Sequence, residues 1–495
     1  MISKSLLYKV TGVLVGIEIL SYLGFVYPSL GMVIASLIII SVLIVSLKNI
    51  NYGLILVLAE LFIGSQGYLF SLTIEGTRIS LRMALWIIVM TVWFANEVRE
   101  YRNNKQYLIR YQSLPYLRQL ISIALVLGLG VIIGSVYNND SSFFFLEAKR
   151  WLYIFILLPL LISFKLKEDI EKLITVLVGA VIVLCLHSVA LVYIFSHGFI
   201  PLVYNIYAWM RFDLLGEITL SAGGFYRVFM QSHIFLLPAL GVSFILFLSE
   251  WYRNKKKFNW YTLLLLKITV ISGTLIIATL SRSFWLGLLV AGLVTGVLYI
   301  AITKPTLKVI TQSFGISLGI LIMSFLLFII VVRFPLPRPT TELDPSLLSD
   351  RVSGSQAGIA SRWSLLPVMW TEIKKSPLWG HGFGKTVTYH TSDPRITSTT
   401  IDGTYTTYAF EWGWLDMWLK FGLLGVCAFG WLLYSLLKDS LKLLEKNVVM
   451  GSIILFSLVV LIVVHFFTPY LNHPLGFGYL SLVILFLHRN SNQID

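Results

Sequence analysis

Five arginines stand where arginines are out of place. Arg82, Arg150, Arg227, Arg282 and Arg362 fall at the ends of long apolar runs or in the polar segments between them. An arginine at a lipid boundary is costly unless it meets water or a partner. Taken singly, each can snorkel toward headgroups or pair with an acid such as Glu147 or Glu217. Taken as a set they repel one another and call for an anion, and guanidinium forks match phosphate oxygens two at a time. Arg362, at an expected helix start, would add that helix's backbone N–H groups to the site. Glu411, in Glu411-Trp412-Gly413-Trp414-Leu415-Asp416, is the candidate general base. Shielded by tryptophans at a span boundary, its carboxyl should titrate high. The plainer role for the same residue is a negative charge at a helix N-terminus. His381 and His390 are alternative bases, and each can equally be a packing or surface histidine.

Other titratable residues are less informative. Glu18 and Glu60 lie inside apolar runs and need partners there. His187, His233 and His465 show no ligand spacing with Cys, Asp or another His, so no metal site is expected. Cys185 and Cys427 both fall in apolar runs and read as small buried hydrophobes without a disulfide. There is no Walker loop and no dinucleotide fingerprint, and no cofactor is expected. An enzyme built this way needs a donor that arrives already activated and already in the membrane. A lipid diphosphate fits an arginine cluster of this kind.

These residues must be positioned by membrane helices. The chain has 495 residues, of which 57% are hydrophobic and only 13% charged. A soluble domain carries about 25% charged residues, so the fold class is all-α integral membrane. Apolar runs at about 11–27, 29–47, 52–70, 79–96, 116–136, 150–163, 171–196, 230–250, 261–279, 284–302, 314–333, 412–437, 448–467 and 474–488 give roughly fourteen spans, with twelve as the lower bound. Each must be helical, because lipid offers the backbone no other partner. The run at 150–163 is short. The first run follows Lys4 and Lys9, lacks a small-residue cleavage site and reads as a retained helix. Alternate short loops carry Lys48; Arg99, Arg102, Lys105 and Arg110; Lys165, Lys167 and Lys172; Arg253 and Lys255–Lys257; Lys304 and Lys308; Lys438, Lys442 and Lys446; and Arg489. This bias puts both termini in the cytoplasm. The net charge of +14 is therefore largely a topology signal, and no nucleic-acid partner is implied.

Two segments on the opposite side are too long to be connectors, 197–229 and 334–410. The second opens with Pro335, Pro337, Pro339 and Pro345, which exclude regular helix. The pattern predicts an amphipathic helix near 361–375, capped by Ser361, with Trp363, Leu366, Trp370 and Ile373 on one face. It should stop at Pro377 and the Gly380-His381-Gly382-Phe383-Gly384 turn. The expected organisation is an N-terminal bundle over 1–333, a large extracytoplasmic loop over 334–410 and C-terminal spans over 411–495.

At this point the motifs resemble a known family. Leu280-Ser281-Arg282-Ser283-Phe284-Trp285-Leu286-Gly287 resembles the Ser-Arg-Gly helix start of the bacterial O-antigen ligases and polymerases. Arg362 through Trp370 to Pro377-Leu378-Trp379-Gly380-His381-Gly382-Phe383-Gly384 is similar to that family's outer-loop helix with its Pro-x-x-Gly-x-Gly-x-Gly ending. Glu411 through Gly422-Leu423-Leu424-Gly425 is similar to the next span, which there ends in a Gly-x-x-Gly turn, and Arg227 resembles a further family arginine. Order and spacing agree between about 220 and 430; the N-terminal third agrees in hydropathy alone.

The resemblance implies a metal-independent, multi-spanning glycosyltransferase at the outer face of the bacterial inner membrane, with a glycan on undecaprenyl diphosphate as donor. The acceptor would be a glycan or glycolipid, inside or outside a polysaccharide assembly complex. Arg227, Arg282 and Arg362 would hold the diphosphate, with Arg150 and Arg82 as further candidates. One departure bears on the reaction. Family ligases carry a histidine followed by Asn, Ser or Gln eleven residues before the first glycine of the turn; here that place holds Glu411, followed by Trp412. This tilts the reading from lipopolysaccharide ligase toward O-antigen polymerase. A transporter of lipid-linked glycan or of a small anion, and a non-catalytic assembly partner, are the rival classes. No paired halves of the kind transporters show are visible.

Overall fold

A computed structural model describes residues 3–104, 109–199, 202–221, 224–342, 344, 357–391, 397, 400 and 402–492. Lys105 and Pro345 lie outside the described residues. The chain is an all-α integral membrane protein. Its principal helices are α1 (Lys4–Val26), α2 (Pro28–Lys48), α3 (Ile50–Ile63), α4 (Leu81–Asn103), α5 (Leu117–Val136), α6 (Ser141–Trp151), α7 (Leu157–Ser163), α8 (Lys167–Ser196), α9 (Leu202–Phe212), α10 (Leu236–Arg253), α11 (Trp260–Ala278), α12 (Arg282–Thr303), α13 (Leu307–Arg333), α14 (Ala357–Lys375), α15 (Gly413–Lys446), α16 (Val448–Phe467) and α17 (Pro474–Asn492). Three antiparallel hairpins interrupt them: β1 (Ser71–Ile74) with β2 (Thr77–Ser80), β3 (Glu217–Leu220) with β4 (Tyr226–Phe229), and β5 (Val387–His390) with β6 (Thr404–Thr407).

Eleven helices among the described residues are long and apolar enough to cross a membrane. The expected fourteen differ in three places, each with a local cause. The run at 52–70 is helical only over Ile50–Ile63, because Gly64-Ser65-Gln66-Gly67 turns the chain, Gly67 at φ +96°. The run at 150–163 is broken into the end of α6, a 3₁₀ stretch Leu152–Ile156 and α7. The last run forms α17, nineteen residues long, with His488, Arg489 and Asn490 in its final turns.

The chain divides into two compact units. One comprises Met1–Tyr107, Ile156–Phe284 and Val297–Leu347. In it α8 packs on α1 and α3, α2 on α1 and α4, and α11 on α10 and α13. Glu18 and Glu60 find their partners there. Glu18 Oε2 lies 2.9 Å from His187 Nδ1, and His187 stacks on Trp209 at 5.5 Å. Glu60 pairs with Arg82. The other unit comprises Leu108–Phe155, Trp285–Gly296 and Leu348–Asp495, and is organised around α15, which packs on α16, α5 and α17.

In this second unit α14 begins at Ala357, four residues before the expected Ser361 cap, and ends at Lys375 before Pro377 as its sequence requires. Its buried stripe is Leu365, Met369 and Ile373, spaced by four, which packs with Val387, Tyr389, Phe410 and Leu419. Trp363 and Trp370, expected on one face with Leu366 and Ile373, are exposed and meet Trp412 and Trp418 edge-on, while Ile373 is buried. Cys427, expected buried, is exposed on α15, while Cys185 is buried.

Candidate functional site

The first unit brings two of the five arginines to one turn. Arg227 sits on β4 opposite Thr219, and its Nε donates to the Thr279 carbonyl at 2.5 Å. That carbonyl belongs to the link between α11 and α12, where Leu280 adopts φ +48° and Ser281 caps α12. Arg282 is the first residue of α12, and at this helix start the Phe284 N–H donates to the Ser281 carbonyl at 3.2 Å. The Ser281 and Ser283 hydroxyls flank it, 3.2 Å apart. Phe229 and Phe284, with ring centroids 5.7 Å apart, fix the hairpin to this helix end. Glu217 pairs in register with Phe229.

Arg82 is differently placed. Its Nε and Nη2 reach Glu60 at 2.8 and 3.2 Å, and Nη1 donates to the Ser65 carbonyl at 2.7 Å. The pair is buried, with about 4% and 5% of the two side chains exposed. A guanidinium held on all three nitrogens inside the protein serves the fold before it serves a ligand.

In the second unit Arg362 Nε donates to the Glu411 carboxylate. Trp412 Nε1 donates to the Arg362 carbonyl at 3.0 Å, so the start of α15 and the second turn of α14 are held side to side. The Glu411 side chain is half exposed and ion-paired, which replaces the expected tryptophan shield. The helix N-terminus expected at Arg362 lies a turn earlier, at Ala357, so Arg362 sits in the second turn. Arg150 Nη2 approaches the Tyr408 hydroxyl at 3.4 Å, and its guanidinium lies 5.8 Å from that ring.

The glycine-rich turn is threaded into a break in α15. Gly422 has φ +64° and ψ −169°, a conformation open only to glycine. The helix is interrupted there but runs on to Lys446, so Gly422 kinks the span where the family's Gly-x-x-Gly turn would end it. Into this break His381 N–H donates to the Leu419 carbonyl and Gly382 N–H to that of Lys420, each at 2.8 Å, while Leu423 N–H donates to Pro377 at 2.9 Å. A Cβ on Gly380 would fall 2.5 Å from Gly422 N, and one on Gly382 would fall 2.1 Å from Gly134 N of α5. Asn139 Nδ2 closes the turn on the carbonyls of His381 and Phe383, at 2.8 and 2.7 Å.

Sequence reading missed one cluster. Lys420 lies buried between Glu147 and Asp416, so Glu147 serves a lysine and not one of the arginines. The i, i+4 spacing of Asp416 and Lys420 was a legible signal for half of it; Glu147 is distant in the chain. His381 Nε2 meets the Glu372 carbonyl at 2.9 Å, which only accepts, so Nδ1 keeps the lone pair a base needs. Burial holds this imidazole below the usual histidine range, with the bond to Glu372 pulling the other way. His390 is exposed at the end of β5, 3.3 Å from the Thr404 hydroxyl. His233 and His465 accept from the backbone N–H groups of Met230 and Leu471.

Residues 268–430 match the family model described as O-antigen ligase. Over these residues, about a third of its length, the chain is similar to the O-antigen ligase family. No curated protein and no solved structure matches it. The O-antigen ligase match holds Arg282, Arg362, His381, His390, Glu411 and Lys420; Arg82, Arg150, Glu147 and Arg227 lie outside it. The match indicates an O-antigen ligase-type role in surface-polysaccharide assembly for this multi-pass membrane protein.

Proposed function

We propose that this protein is a polymerase of surface polysaccharide, with ligation as the nearest variant of the same chemistry. The donor is a glycan on undecaprenyl diphosphate, the acceptor a sugar hydroxyl, and the site faces outward from the bacterial cytoplasmic membrane, with both termini inside. The observation that carries this reading is the family match over 268–430, which contains Arg282, Arg362 and Glu411. The basic residues of the alternate loops support the orientation.

In the proposed reaction Glu411 removes the proton of the acceptor hydroxyl. The freed oxygen attacks the anomeric carbon, and the bond from that carbon to the diphosphate breaks. Its electron pair leaves with undecaprenyl diphosphate, whose charge is stabilised by arginine: Arg362 is the candidate in the unit that holds Glu411, and Arg227 and Arg282 are the candidates in the other. The resting ion pair suits this task. A half-exposed pair holds weakly, so an incoming diphosphate can take Arg362 and release the Glu411 carboxylate for the hydroxyl. In this reading the arginines provide the charge the leaving group needs.

The test is a deletion strain with surface and lipid-linked glycans resolved by gel and mass spectrometry, complemented with wild type or Arg282→Ala. Single repeats in place of polymer identify a polymerase; polymer stranded on the polyprenyl carrier identifies a ligase. Unchanged glycans, or full complementation by a well-expressed Arg282→Ala, would sink the reading and bring the transporter class forward.

A further inference from the structure

Lys420 lies within a membrane-spanning helix with about 4% of its side chain exposed. An ammonium has three N–H donors, and three acceptors surround this one: a Glu147 oxygen, Asp416 Oδ1 at 2.5 Å and the Tyr408 carbonyl at 3.1 Å. None is left for a ligand, so Lys420 is not a phosphate-binding lysine. The second oxygen of each carboxylate reaches further. Glu147 Oε2 accepts the Gly384 N–H at 2.7 Å, and Asp416 Oδ2 accepts from Asn472 Nδ2. One buried cation thereby ties α6, the glycine-rich turn, the 3₁₀ turn Tyr470–Asn472 and the segment at Tyr408 to α15.

Such a cluster is an inefficient way to gain stability, since apolar residues of similar volume usually serve as well or better. What it adds is placement. Tyr408 stands three residues before Glu411, in a stretch without regular structure, and its hydroxyl is the group that Arg150 approaches. We propose that Lys420 is a positioning residue for glycosyl transfer: through the Tyr408 carbonyl it fixes the segment that carries Glu411 to Arg362, and through Glu147 it fixes the glycine-rich turn. This rests on the function proposed above.

The experiment uses the full chain in lipid nanodiscs. Amide exchange in the wild type should protect residues 409–412 at least about a hundredfold relative to an unstructured chain, although they lie in no helix or strand. In Lys420→Met, exchange over 408–412 and 381–384 should rise about tenfold or more, with the β3–β4 hairpin unchanged. With an undecaprenyl-diphosphate-linked single repeat as donor, kcat should fall about 100-fold and KM stay within about threefold, the mark of a misplaced group. Lys420→Met strands two buried carboxylates, so the charge-free variant Glu147→Gln/Asp416→Asn/Lys420→Met is made beside it. Its thermal midpoint should return toward wild type while kcat stays low. A variant with wild-type midpoint and kcat within threefold would overturn the proposal, as would unprotected wild-type amides at 409–412. A wild type without any transfer would overturn the proposed function instead, and the exchange arms would still decide whether Lys420 holds these segments.

Discussion

Arg82 separates the two roles an arginine can play in this protein. Arg82→Met removes a guanidinium that is about 4% exposed and leaves Glu60, about 5% exposed, without its partner. Breaking a buried pair in this way costs about 3–5 kcal/mol, because the surviving charge has no water to return to. The Ser65 carbonyl, which accepts from Nη1 at 2.7 Å, is orphaned as well and adds about 1–3 kcal/mol. Glu60 cannot swing away cheaply: a Cβ on Gly64 would fall 1.9 Å from its Oε1, so the turn already closes over the carboxylate. Glu60→Leu/Arg82→Met removes both charges, and the cost of the pair should vanish or change sign. The assay is equilibrium unfolding in mixed micelles followed by tryptophan fluorescence, with glycan transfer measured on the same preparations. If Arg82 serves the fold, the double variant regains stability and transfer together. If it serves the diphosphate, stability returns while transfer stays about 10²–10³-fold down. An Arg82→Met protein as stable as wild type would refute the account of the buried pair.

Arg362→Ala should do the reverse. Its pair with Glu411 is half exposed, so unfolding should shift by less than about 1 kcal/mol, whereas transfer should fall about 10²–10³-fold; a large loss of stability would contradict the geometry. Gly382→Ala places a Cβ 2.1 Å from Gly134 N at a φ of +74°, so expression of folded protein should collapse, and a normal melting curve would show that the turn is not seated against α5. Glu372 gives a pH signature. Burial pushes its carboxyl upward, but hydrogen bonds from Lys375 and Lys385 outweigh this and hold it below the ordinary carboxylate range. A depressed folded-state value means stabilisation that is present above the unfolded value and lost as pH falls through the folded one. Melting between pH 3 and 6 should therefore be less pH-dependent in Glu372→Gln; an identical slope would remove Glu372 from the acid response.

The local chemistry of the candidate site was legible in places. Hydropathy alone dictates helices in lipid, because a backbone there can satisfy itself in no other open structure. Pro377 and the glycines after it mark the end of α14, and the ordered motifs from Arg282 to Gly425 carry the family resemblance that the match over 268–430 supports. The boundaries were less secure. The α14 start at Ala357 and its stripe of Leu365, Met369 and Ile373 depend on what the helix packs against, and Val387, Phe410 and Leu419 come from other parts of the chain.

Sequence by itself therefore determined the solvent this protein folds in, the chemistry its arginines can do and the glycines its turn requires. Tertiary structure decided which charges are committed. Arg82 to Glu60, Arg362 to Glu411 and Lys420 to Glu147 are separated by 22, 49 and 273 residues. No pattern along the chain encodes such pairings, because a charge's partner is set by which helices pack together and by how little water remains between them.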